Sequence, residues 1–293
     1  MNMRIVPPIL ALACLASLAP TAYARPELKT FDSPAAALDS LLAAKPRVIA
    51  FGEYHEIAGG PVARTALAHF REELFPRIAP QATDLIVETW VTEGNCGAKE
   101  EKVVAEVAET TKRPEETESD IVKLLKEAKA ARLAPHILTV SCPLYQSLLD
   151  EEGEVDFEKL LAAITDLLRS KIRAQWELRR YSTEKAVLVY GGALHNDLFP
   201  RKELKAFTFG AWAEKETRGR YLEVDLYVPE FIERDKQIVA EGWYPLLKKV
   251  PPGKTALVKR GKDSFIVVFP RSGPSASSLF DPVPAPVAAP TAR

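Results

Sequence analysis

Short apolar runs rich in β-branched residues alternate along this chain with longer stretches whose apolar positions recur at helical spacing. Arg47 to Phe51 (RVIAF) is an apolar run closed by Gly52, which predicts a buried strand. Gly59-Gly60-Pro61 then breaks the chain, and Val62, Ala66, Phe70 and Leu74 predict an amphipathic helix over 61–76 with Pro61 in its first turn. Asp84 to Thr89 predicts a second strand. The charged stretch Lys99 to Arg132 has helical periodicity in two pieces divided near Pro114, the second carrying Ile121, Leu124, Leu125 and Ala128 on one face. Leu133 to Ser141 predicts a third strand. The longest helix expected is Asp156 to Tyr181, with Phe157, Leu160, Leu161, Ile164, Leu167 and Leu168 as its apolar stripe. Lys185 to Tyr190 predicts a fourth strand, ended by Gly191-Gly192. Tyr221 to Tyr227 alternates as a strand, and Thr255 to Lys259 with Ser264 to Phe269 predict a closing hairpin. Strands alternating with helices imply an α/β fold: a mostly parallel central sheet flanked by helices, with an antiparallel edge hairpin. No repeat of solenoid length is visible.

The two ends differ from this pattern. Residues 1–24 read as a secretory signal, with Arg4 as the only charge, an apolar run from Ile5 to Ala19, and a small-x-small cleavage form at Ala22-Tyr23-Ala24. A second reading takes Leu10-Ala11-Leu12-Ala13-Cys14 as a lipoprotein processing site, with Cys14 the lipidated residue of an outer-membrane protein. At the other end, residues 272–293 hold five Pro, five Ala and four Ser, too little apolar surface to offset the entropy of ordering, so a flexible tail is expected. What remains, 27–271, suits a single α/β domain. After the expected processing, Cys96 and Cys142 are the only cysteines left, and an oxidising compartment permits a disulfide between them or two unpaired thiols.

Composition narrows the functions. A net charge of -1 over 293 residues gives no electrostatic footprint for nucleic acid or for a polybasic membrane surface. No uncharged apolar run beyond the N-terminus approaches the roughly 18 residues needed to span a bilayer, so no transmembrane helix is expected once the signal is removed. The chain has no Gly-x-Ser-x-Gly elbow, no phosphate loop, no His-Glu-x-x-His helix and no Cys-x-x-Cys-His haem attachment.

Of four histidines, two stand in matching places. His55 follows the first strand in Gly52-Glu53-Tyr54-His55, and His195 follows the fourth in Gly192-Ala193-Leu194-His195. Ligands of open α/β sheets bind at the carboxyl ends of parallel strands, so both histidines are expected at one edge. If Glu53 to His55 stays extended, period-two geometry points both side chains to the same side. Glu88, at the end of the second strand, is expected to meet them, and Asp197 stands two residues after His195. Imidazole with carboxylate suits a divalent metal such as Mn, Co or Zn, and equally a general base that activates water.

The paired Gly-x-x-His motifs, the Gly-Glu-x-His form after the first strand and the lone glutamate after the second resemble the superfamily that joins TIKI metalloproteases, TraB/PrgY pheromone-shutdown proteins, ChaN-like haem-binding lipoproteins and erythromycin esterases. The resemblance covers roughly 45–230. It implies that Glu53, His55, Glu88 and His195 are the active-site or metal-binding set. Members differ in chemistry, from metal-dependent peptide cleavage to macrolide ester hydrolysis to haem binding. The function expected is therefore an exported hydrolase acting on a peptide or ester bond of a small-molecule or peptide substrate. The alternatives are a ChaN-like envelope protein that binds haem or metal without turnover, and a scaffold that keeps the fold without catalysis. In the haem reading Tyr54 is a candidate ligand; otherwise it is a packed tyrosine. Arg64, placed one turn into the helix after Pro61, is a candidate for an anionic group of the substrate or else an exposed helix arginine. His69 lies off its helix's apolar stripe and is expected at the surface, and His136 is expected to be structural.

Overall fold

The computed structural model describes residues 25–56, 60–93, 96, 103 and 116–272. The signal, Cys14 and all but the first residue of the Pro/Ala tail lie outside the described residues, as does the first helical piece of 99–132 apart from Val103. Eight strands form one sheet: β1 (Glu27–Phe31), β2 (Val48–Glu53), β3 (Ala82–Glu93), β4 (Ala134–Ser141), β5 (Ala186–Gly192), β6 (Tyr221–Tyr227), β7 (Thr255–Gly261) and β8 (Ser264–Val268). Their order is β1-β7-β8-β6-β2-β5-β3-β4. Every pairing from β8 to β4 is parallel, and β1–β7 and β7–β8 are antiparallel. The expected fold class is the one observed.

The central strands read as continuous apolar runs because both of their faces are covered. In β2 the period of two sends Ile49 and Phe51 into one helical layer and Val48 and Ala50 into the other. The first layer holds α1 (Pro34–Leu42), α2 (Ala66–His69), a π turn (Phe70–Leu74), α3 (Phe75–Ile78) and α4 (Glu116–Ala130). The second holds α5 (Cys142–Ser147) and α6 (Phe157–Arg179), where Leu160, Ile164, Leu168, Ile172 and Trp176 are buried. β1 and α1 are among the elements that escaped the apolar pattern. β1 is an exposed edge strand, and α1 is a nine-residue helix capped by Ser33, whose hydroxyl accepts from Ala36 N–H with Pro34 in the first turn.

The expected helix over 61–76 starts later. Thr65 caps α2 by accepting from Ala68 N–H, and Val62 is fully exposed in the segment before it. His69 is not a surface residue: it is 5% exposed, its ring stacks on Phe269 at 4.1 Å, and its Nδ1 meets Glu73 at 2.8 Å. A helical wheel cannot show this, because Phe269 arrives from the far end of the chain. His136 is structural as expected: with Arg179 it holds the fully buried Asp84.

Cys96 and Cys142 form a disulfide. It ties the chain beyond β3 to the start of α5 and closes a separation of 46 residues. β6, expected to alternate between exposed and buried positions, is buried at all seven. Its two acids, Glu223 and Asp225, therefore lie inside the protein with Arg260 of β7 between them.

The bridge and the buried acids each bear on stability. Chain-entropy arguments assign a closed loop of this size about 4 kcal/mol. Denaturant melts with and without reductant should therefore show a clear loss on reduction, and coincident curves would exclude a formed bridge. The acids act through pH. Burial raises Glu223 to about 8 and Asp225 to about 7 against the pull of Arg260. A carboxyl raised in the folded state favours folding when protonated, so its contribution is complete below about pH 4 and is lost as pH rises through 7 to 8. Asp84 works the other way: burial pushes it up, but hydrogen bonds from His136 and Arg179 prevail and hold it at about 2, so its contribution is lost only as pH falls through that value. The loss of stability between pH 5 and 9 should shrink in Asp225→Asn. Parallel stability-against-pH curves for the variant and the parent would refute it.

Candidate active site at the carboxyl edge of the sheet

Three neighbouring parallel strands, β2, β5 and β3, supply all four candidate residues: β2 and β5 end side by side, while β3 runs on past Glu88 to Glu93. The register sets Gly52 of β2 against Gly191 of β5, and Glu53 against Gly192, so the two Gly-x-x-His motifs leave the sheet side by side. Beyond Glu53 the chain stays extended long enough for Glu53 and His55 to face the same way, and His55 Nδ1 meets Glu53 Oε1 at 2.9 Å. The second carboxylate oxygen of Glu53 accepts from the buried Tyr190 hydroxyl at 2.5 Å. Glu53 thus stands behind His55 as its orienting partner.

Glu88 arrives through an irregularity. β3 and β4 pair regularly to Val87–Ile137 and resume at Trp90–Leu138, leaving Glu88 and Thr89 as extra residues on β3. Bulges of this kind redirect side chains at the rims of sheets. Here Glu88 turns over β5, where its Oε2 accepts from Gly192 N–H at 2.7 Å and its Oε1 lies 3.5 Å from His195 Nε2.

His195 sits on α7 (Ala193–Asn196), a single turn that starts where β5 ends, and is 3% exposed. Its Nδ1 lies 2.9 Å from the Phe207 carbonyl and 3.0 Å from Thr165 Oγ1. That hydroxyl spends its own proton on the Leu161 carbonyl at 2.8 Å. Both neighbours of Nδ1 are therefore acceptors, which puts the proton on Nδ1 and leaves Nε2 facing Glu88. His55 follows the same rule through Glu53. Each histidine is fixed at Nδ1 by a polar partner, an arrangement common around metal-ligating and base histidines, with Nε2 of His195 facing Glu88 and Nε2 of His55 lying beside Gly192.

Glycine makes the approach possible. A Cβ at Gly192 would lie 2.9 Å from His55 Nε2 and 3.7 Å from Glu88 Oε2, and one at Gly191 would lie 2.8 Å from Glu88 Cβ. His55 comes from the side of the sheet covered by α2, and His195 from the side covered by α6. The bare glycine backbone of β5 runs between them, with Gly192 beside His55 and Glu88, and Glu88 beside His195.

The other expected residues do not join this group. Asp197 departs from the two-residue relation seen in Glu53–His55, because α7 is helical and period two does not apply there. Its Oδ1 binds Phe199 N–H and Arg260 instead. Tyr54 points away: its hydroxyl donates to Asp235 at 2.7 Å and its ring packs edge-on against Tyr227. Burial and Asp235 both raise this phenol above its ordinary value, and Tyr54 is packed against Tyr227 and Asp235 in this structure. Arg64 lies before α2, not within the helix, and its guanidinium is engaged by Glu72 and Glu73. Sequence reasoning missed Tyr190 and Thr165. Tyr190 was one more apolar residue of a strand, and Thr165 is a polar position inside a helix stripe.

Among the described residues, no group of three or more His, Cys, Asp or Glu side chains stands close enough to hold a metal ion as placed. The donor types nevertheless fit one: two imidazoles with Nδ1 fixed, and a carboxylate beside the buried one. Comparisons with family models, with curated proteins and with solved structures return no match for this chain.

Gly192 has φ near -71°, a conformation any residue adopts, so alanine there carries no backbone strain. Gly192→Ala should leave the melting temperature within a few degrees while displacing His55, seen as altered His55 imidazole resonances. Unchanged resonances would mean that the glycine backbone does not set the site.

Proposed function

We propose that this edge is the active site of a hydrolase that activates water for attack on a peptide or ester bond. The observation that carries the reading is the pair of imidazoles, each oriented through Nδ1 by a polar partner, with the glycine backbone of β5 running between them. His55, the more accessible of the two at 34% side-chain exposure, is the base that takes a proton from water at Nε2. Glu53 then stabilises the imidazolium through Nδ1–H, and Tyr190 occupies the other carboxylate oxygen so that Glu53 stays in place. His195, held rigidly by Thr165 and the Phe207 carbonyl, faces the reacting group from the opposite side together with Glu88. Alternatively, a divalent ion such as Mn, Co or Zn would be held by His55, His195 and Glu88, with His55 then a ligand in place of a base, and would supply Lewis-acid polarisation and a more acidic water.

The resemblance to the superfamily of TIKI metalloproteases and erythromycin esterases supports the same residues. The Cys96–Cys142 bridge supports export to an oxidising compartment. Among the described residues no helix is long and apolar enough to cross a membrane. A haem-binding role without turnover is the rival, and the engaged Tyr54 counts against it.

Purified protein should hydrolyse members of peptide or ester libraries, with turnover raised by Mn, Co or Zn. His55→Ala and His195→Ala should each lower it by about 100-fold or more, and Glu53→Gln less, since it acts through His55. Full activity in both histidine variants would sink the proposal, and a Soret band formed with haemin and lost in Tyr54→Phe would favour the rival.

A further inference from the structure

α7 is a four-residue turn with no side-chain cap at its start. A helix this short has no intrinsic stability, and its terminal backbone groups need outside partners. Those partners come from a polar network beneath the site. The carbonyl of His195 accepts from Phe209 N–H at 2.7 Å, that of Asn196 from the Tyr221 hydroxyl at 2.6 Å, and that of Asp197 from Thr208 Oγ1 at 3.0 Å. Leu198 N–H donates to Glu223 Oε2 at 2.8 Å. The side chain of Asn196, 2% exposed, donates through Nδ2 to Asp225 Oδ1 at 3.1 Å.

One cation organises these acids. Arg260 reaches Glu223, Asp197 Oδ1 at 3.0 Å and Asp225 Oδ2 at 3.7 Å, and its Nε donates to Ser264 Oγ at 3.2 Å. Glu223 and Asp225 are 0% and 1% exposed, and among the described residues Arg260 is the cation that offsets them. Buried polar networks are costly unless their members are satisfied. This one touches the turn bearing His195 at successive residues.

We propose that Asn196, Asp225 and Arg260 are positioning residues for His195, fixing the α7 turn so that His195 Nε2 faces Glu88 while Nδ1 meets Thr165 and the Phe207 carbonyl. Asn196 links the turn to β6, and Arg260 of β7 holds the acids that receive it. The residue after the second Gly-x-x-His motif thereby acts as part of the site without touching its contents.

The inference rests on the reading of His195 as a site residue, and its test is chosen to be separable from that reading. Long-range proton–nitrogen spectra of the full-length labelled protein report the tautomer of each imidazole without metal or substrate. Four histidines keep the spectrum simple, and His195 is assigned by its loss in His195→Gln. The parent should show His195 in the Nδ1–H form alone. Asn196→Ala and Arg260→Gln should convert it to a tautomer mixture, while the His69 and His136 signals stay in place. Arg260→Lys should restore the parent form in part. Zinc affinity measured by calorimetry with zinc chloride should fall by roughly 10- to 100-fold in the same two variants. If Arg260→Gln does not fold, Asn196→Ala decides. A folded Asn196→Ala with an unchanged His195 tautomer overturns the positioning role. A changed tautomer in a protein whose parent binds no zinc supports positioning and removes the metal from the proposed function.

Discussion

The pairing of β2 with β5 in one register is the constraint on which the rest depends. Parallel strands run their carboxyl ends out together, and this register sets Gly52 beside Gly191 and Glu53 beside Gly192. A slip of one residue would send Glu53 to the opposite face and set a side chain where the bare glycine backbone now lies. The apolar alternation of β2, Val48 and Ala50 to one layer and Ile49 and Phe51 to the other, makes such a slip expensive because it would exchange two packed faces. The same burial that holds the core together therefore sets the geometry of the site to within a hydrogen bond.

The site draws one half from each face of the sheet. Glu53, Tyr190 and His55 belong to the side of α2, while Glu88, His195 and Thr165 belong to the side of α6. Each histidine has its Nδ1 committed to acceptors, so its chemistry is concentrated at Nε2. The cost is borne by buried polar groups: a tyrosine hydroxyl on a carboxylate, a threonine hydroxyl inside a helix, and a guanidinium among three acids. Such groups destabilise a fold unless satisfied, and here nearly every one has its partner. They hold the two imidazoles to fixed directions.

The limits of a one-dimensional reading show in particular residues. His69 sits off the apolar stripe of its helix, yet Phe269 covers it from two hundred residues away. Asp197 stands two residues after His195, as Glu53 stands two before His55, yet the turn of α7 carries it to Arg260. Thr165 interrupts the stripe of α6 as a polar residue, and its partner is a histidine thirty residues on. In each case the deciding contact is with a residue far along the chain, and local spacing carries no trace of it.

By itself, the sequence determined every strand but β1, the two long helices, the parallel class of the sheet with its antiparallel edge, and the four residues placed near its carboxyl edge. It could do so because apolar periodicity records which faces are buried, and glycine beside histidine at a strand end is a local feature. Only the tertiary structure decided the rest. The bulge that brings Glu88 over β5, the assignment of Glu53 as a partner of His55, and the charged network beneath His195 all arise from pairing register and from contacts between distant elements. Those are set when the chain packs, since a hydrogen bond between buried groups depends on where two elements end up and not on how either reads alone.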